Sequence, residues 1–119
     1  MTVAELQGEW NVVSVFNSPI PETVEKAPFL IFDTKGNKIS GNAGCNRLTG
    51  KLNINGENRL SISIPPVAMT KMACPDMETE NNILSALSSV KTFGRLDGKR
   101  IALYTSGGVE VLVLQKNNK

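Results

Sequence analysis

Short runs of alternating apolar and polar residues, separated by turn-forming residues, follow one another along most of this chain of 119 residues. Alternation with a period of two, bounded by Gly, Pro, Asn and Asp, is typical of half-buried β-strands. We predict strands over residues 9–16, 29–32, 38–41, 47–54, 60–64, 92–96, 100–105 and 110–115. Short connections, such as the Asn-Gly turn predicted within residues 55–58, favour antiparallel pairing of these strands.

A different pattern begins after Cys74. Pro75 suits the first position of a helix, and Asp76 and Glu78 place negative charge where a helix N-terminus favours it. Apolar residues then recur at helical spacing, at positions 77, 83, 84, 87 and 90. We therefore predict one helix over about residues 75–90.

The strand and helix patterns together predict a single α+β domain over residues 1–119. Its expected architecture is a curved antiparallel sheet, or a partly open barrel, of about seven to eight strands with one helix packed at an end or a face. Gly50 falls on the apolar side of its strand, which predicts a bulge or a close backbone approach at that position.

Composition excludes several classes of function. The net charge is only +2 and the basic residues are scattered, so we expect no nucleic-acid partner. The sequence contains no histidine, which removes Ser-His-Asp and Cys-His catalysis, and it carries no phosphate-binding glycine motif. We therefore expect no enzyme activity, no cofactor and no metal site.

The relation of the chain to membranes is expected to be limited. No stretch approaches the roughly 18 apolar residues that a membrane-spanning helix needs. Residues 1–5 lack the charged and apolar regions of a signal peptide. We expect a monomer without a transmembrane segment, and leave open a targeting or lipid-anchoring segment upstream of Met1 that is removed from the mature protein.

Two cysteine-containing motifs carry a family resemblance. G-x-x-G-C-N-R-x-x-G over residues 41–50 is followed by alternating strands and then by M-T-x-M-A-C-P over residues 69–75, an acidic helix start and a closing strand pair. This combination resembles the META domain family, which includes the heat-inducible HslJ-like proteins of bacterial envelopes, and the resemblance covers residues 6–114. It implies a small α+β fold, a stress-related role, frequent lipoprotein or secretory signals, and no established enzyme activity.

The two cysteines constrain both fold and compartment. Cys45 and Cys74 are too far apart in sequence for a C-x-x-C redox motif, and without histidine a zinc site would need two carboxylates. We predict a Cys45–Cys74 disulfide if the protein is exported. Two buried thiols in a cytosolic protein are the alternative. Met69, Met72 and Met77 surround Cys74, and we expect them to fill the core, with a copper(I) site as the alternative.

Glu80 is the second conspicuous residue, because helical spacing places it on the apolar face of the predicted helix. A carboxylate buried there needs a partner. A Cys45–Cys74 bond would bring Arg47 close to the helix start, so we predict an Arg47–Glu80 ion pair, with Asn46 hydrogen-bonding to nearby backbone. We expect the pair to be structural, and a ligand site is the alternative.

The resulting functional prediction is a non-enzymatic, envelope-associated module that binds an envelope protein or a small molecule, or supports the envelope under stress. We expect it in the bacterial cell envelope or periplasm, while a cytoplasmic location stays open. The alternative function is a lipocalin-like barrel that binds an apolar small molecule, since residues 8–10 are similar to the Gly-x-Trp opening of lipocalin-type barrels. A third option, an unfamiliar enzyme or an inhibitor, would use residues 17–26 as a rigid recognition loop rather than as a plain connector.

Overall fold

The computed structural model describes residues 3–54 and 61–117, and these form an α+β domain built on one large antiparallel sheet. The described residues contain eleven strands, one α-helix and a 3-10 helix at Val3–Leu6. The strands are β1 (Gly8–Val15), β2 (Ser18–Pro19), β3 (Phe29–Asp33), β4 (Lys38–Asn42), β5 (Arg47–Lys51), β6 (Asn53–Ile54), β7 (Ile62–Ser63), β8 (Ala68–Met69), β9 (Thr92–Arg95), β10 (Arg100–Tyr104) and β11 (Glu110–Lys116). The helix α1 spans Glu78–Ser89.

The large sheet has the strand order β8-β5-β4-β3-β1-β11-β10-β9, with β2 paired to β1 off this path. The sheet is curved and open, because β8 and β9 end it without pairing to each other. A second sheet of β6 and β7 lies beside β9, where Ser61 forms an isolated bridge with Thr92 and the Ile62 N–H donates to the Lys91 carbonyl at 2.9 Å. The predicted fold class, a curved antiparallel sheet with one helix, is confirmed.

Several predicted strands are shorter or divided. The predicted strand at residues 47–54 separates into β5 and β6 at Leu52, which is fully buried and whose N–H donates to the Asn37 carbonyl at 3.0 Å. Of the predicted strand at residues 60–64, only β7 forms, while the predicted turn at 55–58 and Leu60 lie outside the described residues. Two-residue strands are too short to show alternation, so the strand count was underestimated.

The helix begins later than predicted. Its first residue is Glu78 and its N-cap position is Met77, whose side chain makes no capping hydrogen bond. The side chain of Asp76, one residue earlier, bonds to the first turn instead. Asp76 Oδ1 accepts the Thr79 N–H at 3.1 Å, and its Oδ2 accepts the Thr79 hydroxyl at the same distance. Aspartate is among the best helix-capping residues, since its carboxylate satisfies N–H groups that have no partner within the helix.

The core lies between the inner face of the sheet and α1. Ile83, Ala86 and Leu87 of the helix join one cluster of buried residues with the inward-facing side chains of the strands. Trp10 belongs to this cluster, and its indole N–H donates to the Leu6 carbonyl at 2.8 Å. The close backbone approach predicted at Gly50 is present, since a Cβ there would lie 3.3 Å from the Cα of Val67, and 2.8 Å from its Cγ1.

Across the described ranges, no helix combines the length and the apolar character needed to cross a lipid bilayer.

Candidate functional site

A disulfide joins Cys45 and Cys74, as predicted. It links the connection between β4 and β5 to the segment that precedes α1, and the two Cα atoms lie 6.1 Å apart. The bond closes a loop with a sequence separation of 29 residues. It therefore fixes the β4–β5 connection against the start of the helix, and it brings Asn46 next to Glu80.

Asn46 is the hydrogen-bonding centre of this region. Its side-chain NH₂ donates to Glu80 Oε2 at 2.9 Å and to the Met72 carbonyl at 3.1 Å. Its side-chain oxygen accepts the Met72 N–H at 2.6 Å and the Thr70 hydroxyl at 2.9 Å. Both donors and both acceptor positions of the amide are thus occupied. One buried amide ties the helix, the sheet and the segment before the helix together.

The predicted ion pair between Arg47 and Glu80 is wrong. Glu80 is only 3% exposed, and its carboxylate accepts the Asn46 backbone N–H at 2.6 Å in addition to the side-chain bond. Arg47 is exposed, and the ion pairs formed among the described residues join Arg95 to Glu5 and Arg100 to Asp97. The physical reason is strand alternation, because neighbouring side chains point to opposite faces and Arg47 points outward.

The three methionines near Cys74 line one cleft of about 360 Å³ above Asn46 and Glu80. Met69 packs against the core as predicted, and Met77 is half-buried. Met72 departs from the core-filling prediction, since 55% of it is exposed although its backbone is held by Asn46.

The predicted loop at residues 17–26 forms one wall of a cleft of about 610 Å³ against the helix start. The Thr23 hydroxyl donates to Asp76 Oδ2 at 2.6 Å and is the main cause that holds the pKa of Asp76 below its usual value, with the Thr79 N–H second. The Asp76 carboxylate is already engaged in these bonds. The loop is therefore a connector that the Thr23–Asp76 hydrogen bond holds against the start of the helix.

A further depression lies on the outer face of the sheet, across β3, β4, β5 and β8, and we call it the outer-face groove. Its volume is about 530 Å³. Its lining residues are Phe29, Ile31, Ser40, Gly41, Arg47, Leu48, Thr49, Ala68, Met69 and Thr70. Of these, only Arg47 was singled out from the sequence, and for another role. The available signal was the apolar run at residues 29–32, which places large side chains on both faces of β3.

A family model of the META domain matches residues 3–118. The chain belongs to the META domain family. The predicted family resemblance is thereby confirmed. No protein with a curated description matches this META domain significantly in sequence.

Two solved structures share the fold of this META domain. The NMR structure of a protein from Burkholderia xenovorans has a TM-score of 0.70 at 19% identity. The alignment covers 98% of this chain and 86% of the Burkholderia xenovorans protein. The crystal structure of a DUF4847 family protein from Bacteroides vulgatus has a TM-score of 0.63 at 15% identity. The alignment covers 96% of this chain and 95% of the Bacteroides vulgatus protein. At these identities the similarity establishes the fold alone.

Proposed function

We propose that this META domain works outside the cytoplasm, in the bacterial envelope, as a binding domain without catalytic activity. The observation that carries the proposal is the Cys45–Cys74 disulfide, which uses both cysteines of the chain. Disulfides persist in oxidising compartments and are rare in the cytosol. The sequence resembles heat-inducible, envelope-associated proteins. On that basis we propose that the domain functions when the envelope is under stress.

The absence of catalysis is supported by the state of the polar groups at the disulfide. A catalytic group must be available to a substrate, whereas the Asn46 amide is saturated and the Glu80 carboxylate already accepts two hydrogen bonds from it. In the part of the chain that the structure describes, every buried side-chain nitrogen and oxygen has a hydrogen-bond partner. This arrangement favours a structural role for the Asn46–Glu80 contact, with binding at the surface clefts.

The test is the intact mass of the protein from its native cells after fractionation, with and without reduction before alkylation. We expect the protein in the envelope fraction, with no alkylation before reduction and two alkylated thiols after it. A cytosolic protein with known free thiols serves as the control for alkylation in the same sample. An unprocessed chain in the cytosolic fraction with two reactive thiols would contradict the proposal. A mass increment of acyl chains would add lipid anchoring to it.

A second candidate function is the carriage of an apolar small molecule. The interior of the sheet is occupied by the core, so the predicted lipocalin-like site inside a barrel has no support. The observation that favours carriage is the outer-face groove, whose volume falls within the range of roughly 300–1,000 Å³ typical of small-molecule sites. Saturable binding of a fluorescent apolar dye, displaced by an unlabelled apolar compound, is the expected result. A linear, unsaturable signal would argue against this candidate.

A further inference from the structure

The outer-face groove follows from the register of four strands. Ile31 pairs with Ser40, Ser40 with Thr49, and Thr49 with Ala68, so these residues form one row across the outward face. The middle of the row carries the small side chains of Ser40 and Thr49. The larger apolar side chains of this face, Phe29 and Ile31, stand on β3, and Ala68 on β8 lies at the opposite side. Met69 is paired with the buried Leu48 and packs against the core instead. A strip of small residues beside the bulkier side chains of β3 leaves a depression that no described side chain fills.

The helix does not cover this depression. α1 contributes to the core and contacts β1 and β11, and no residue of α1 lines the groove. Phe29 and Ile31 are only half-buried there. When an apolar molecule covers half-exposed apolar side chains around a depression, it removes them from water, and this burial favours binding.

Arg47 supplies the charge at this site. It is the one charged residue among the described residues that line the groove, and its guanidinium has no ion-pair partner among the described carboxylates. Its backbone N–H donates to the Thr70 hydroxyl at 3.0 Å, which fixes the strand at this point. A guanidinium presents two parallel N–H donors that match the two oxygens of a carboxylate. One positive charge compensates a carboxylate, whereas a phosphate dianion would keep an uncompensated charge.

We propose that the outer-face groove binds a small amphiphilic carboxylate, with its apolar part against Phe29, Ile31 and Ala68 and its carboxylate on Arg47. This inference rests on the proposed binding function and specifies its ligand class. The volume of the groove suits one small molecule, and the single cation at its edge selects an anionic head over a cationic one.

The test is calorimetric titration of the oxidised, full-length protein with laurate below its micelle concentration. Dodecyltrimethylammonium, which has the same chain length and a cationic head, is titrated in parallel. We expect saturable one-to-one binding of laurate and at least about fivefold weaker binding of the ammonium compound. Equal affinity for both compounds would overturn the proposal, because the charge of Arg47 would then play no part. Absence of saturable laurate binding would overturn it as well.

Two pairs of variants locate the binding site. Arg47→Gln should weaken laurate binding about fivefold, the upper end for an exposed ion pair, whereas Lys51→Gln removes the same charge from the same face of β5 outside the groove lining and should leave the affinity unchanged. Thr49→Phe should fill the groove and abolish measurable binding, whereas Thr49→Val keeps its shape and should retain it. Ala68→Phe, from the opposite wall, provides a second filling variant.

Thermal unfolding of each variant checks that the fold is kept, which we expect because all the changed positions are exposed. Undiminished binding by both filling variants would place the laurate elsewhere and overturn the proposal. These titrations use purified protein and do not depend on compartment. Their failure is therefore distinguishable from a failure of the proposed envelope function, which the thiol and mass measurements test.

Discussion

The carboxylate of Glu80 accepts both the backbone N–H of Asn46, at 2.6 Å, and its side-chain NH₂, at 2.9 Å. The buried side chain of Glu80 thus accepts two hydrogen bonds from one uncharged residue, and the ion pairs of the described residues do not involve it. Removal of one hydrogen-bond partner leaves the other unsatisfied in a buried place, which costs free energy of folding. The contact holds α1 to the β4–β5 connection next to the disulfide.

Glu80→Gln should destabilise the protein by about 2–3 kcal/mol. The substitution keeps the shape of the side chain but replaces one acceptor oxygen by an NH₂ group, which faces a donor of Asn46. Urea unfolding under oxidising conditions measures the effect. Glu78→Gln is the matched control, because Glu78 is an exposed carboxylate in the first turn of the same helix, and it should lose about 0.5 kcal/mol or less. Equal stability losses for the two variants would contradict the prediction, because the buried Asn46–Glu80 contact would then contribute no more to stability than an exposed carboxylate.

Reduction of the Cys45–Cys74 bond should lower the free energy of unfolding by about 3–4 kcal/mol, the value that the chain-entropy model gives for a loop of this length. The cross-link restricts the unfolded chain, so its removal makes the unfolded state more favourable. Urea midpoints with and without a reductant provide the measurement. The double variant Cys45→Ala, Cys74→Ala is the control, and its midpoint should not respond to the reductant. A reductant effect on that variant would mean that the shift has another cause.

The sequence predicts the secondary structure and the disulfide better than it predicts the contacts of the site. Period-two alternation and the helical spacing after Cys74 each report one element, so the long strands and α1 were predictable. The partner of Glu80 depends on which of two adjacent side chains faces inward at the start of β5, and a difference of one residue exchanges Asn46 for Arg47. The outer-face groove depends on the register of four strands, which alternation within one strand does not determine.

Gly41→Ala should destabilise the protein by about 3 kcal/mol or more. Gly41 has a φ of +148°, and an added Cβ would lie 2.1 Å from the Phe29 carbonyl oxygen, which belongs to the backbone of the paired strand and has little freedom to move. Gly94→Ala is the matched control, since its Cβ would meet only Tyr104 Cε2 at the ordinary distance of 3.6 Å. Thermal and urea unfolding of both variants measure the difference. A Gly41→Ala protein as stable as the control would contradict the close backbone contact between β3 and β4.

The bond between Thr23 and Asp76 should make stability depend on pH in the acid range. The Thr23 hydroxyl is the first cause, and the Thr79 N–H the second, of the lowered pKa of Asp76, whose usual value is 3.8. A carboxyl whose pKa is lower in the folded than in the unfolded state stabilises the fold above its unfolded pKa, and this stabilisation is lost as the pH falls through the folded pKa. Thr23→Val removes the hydroxyl with little change of shape. Urea unfolding should show the wild type to be more stable than Thr23→Val at pH 7, with the difference shrinking below pH 3.8. A difference that stays constant from pH 7 to the acid limit would mean that the hydroxyl acts through packing and not through the ionised carboxylate.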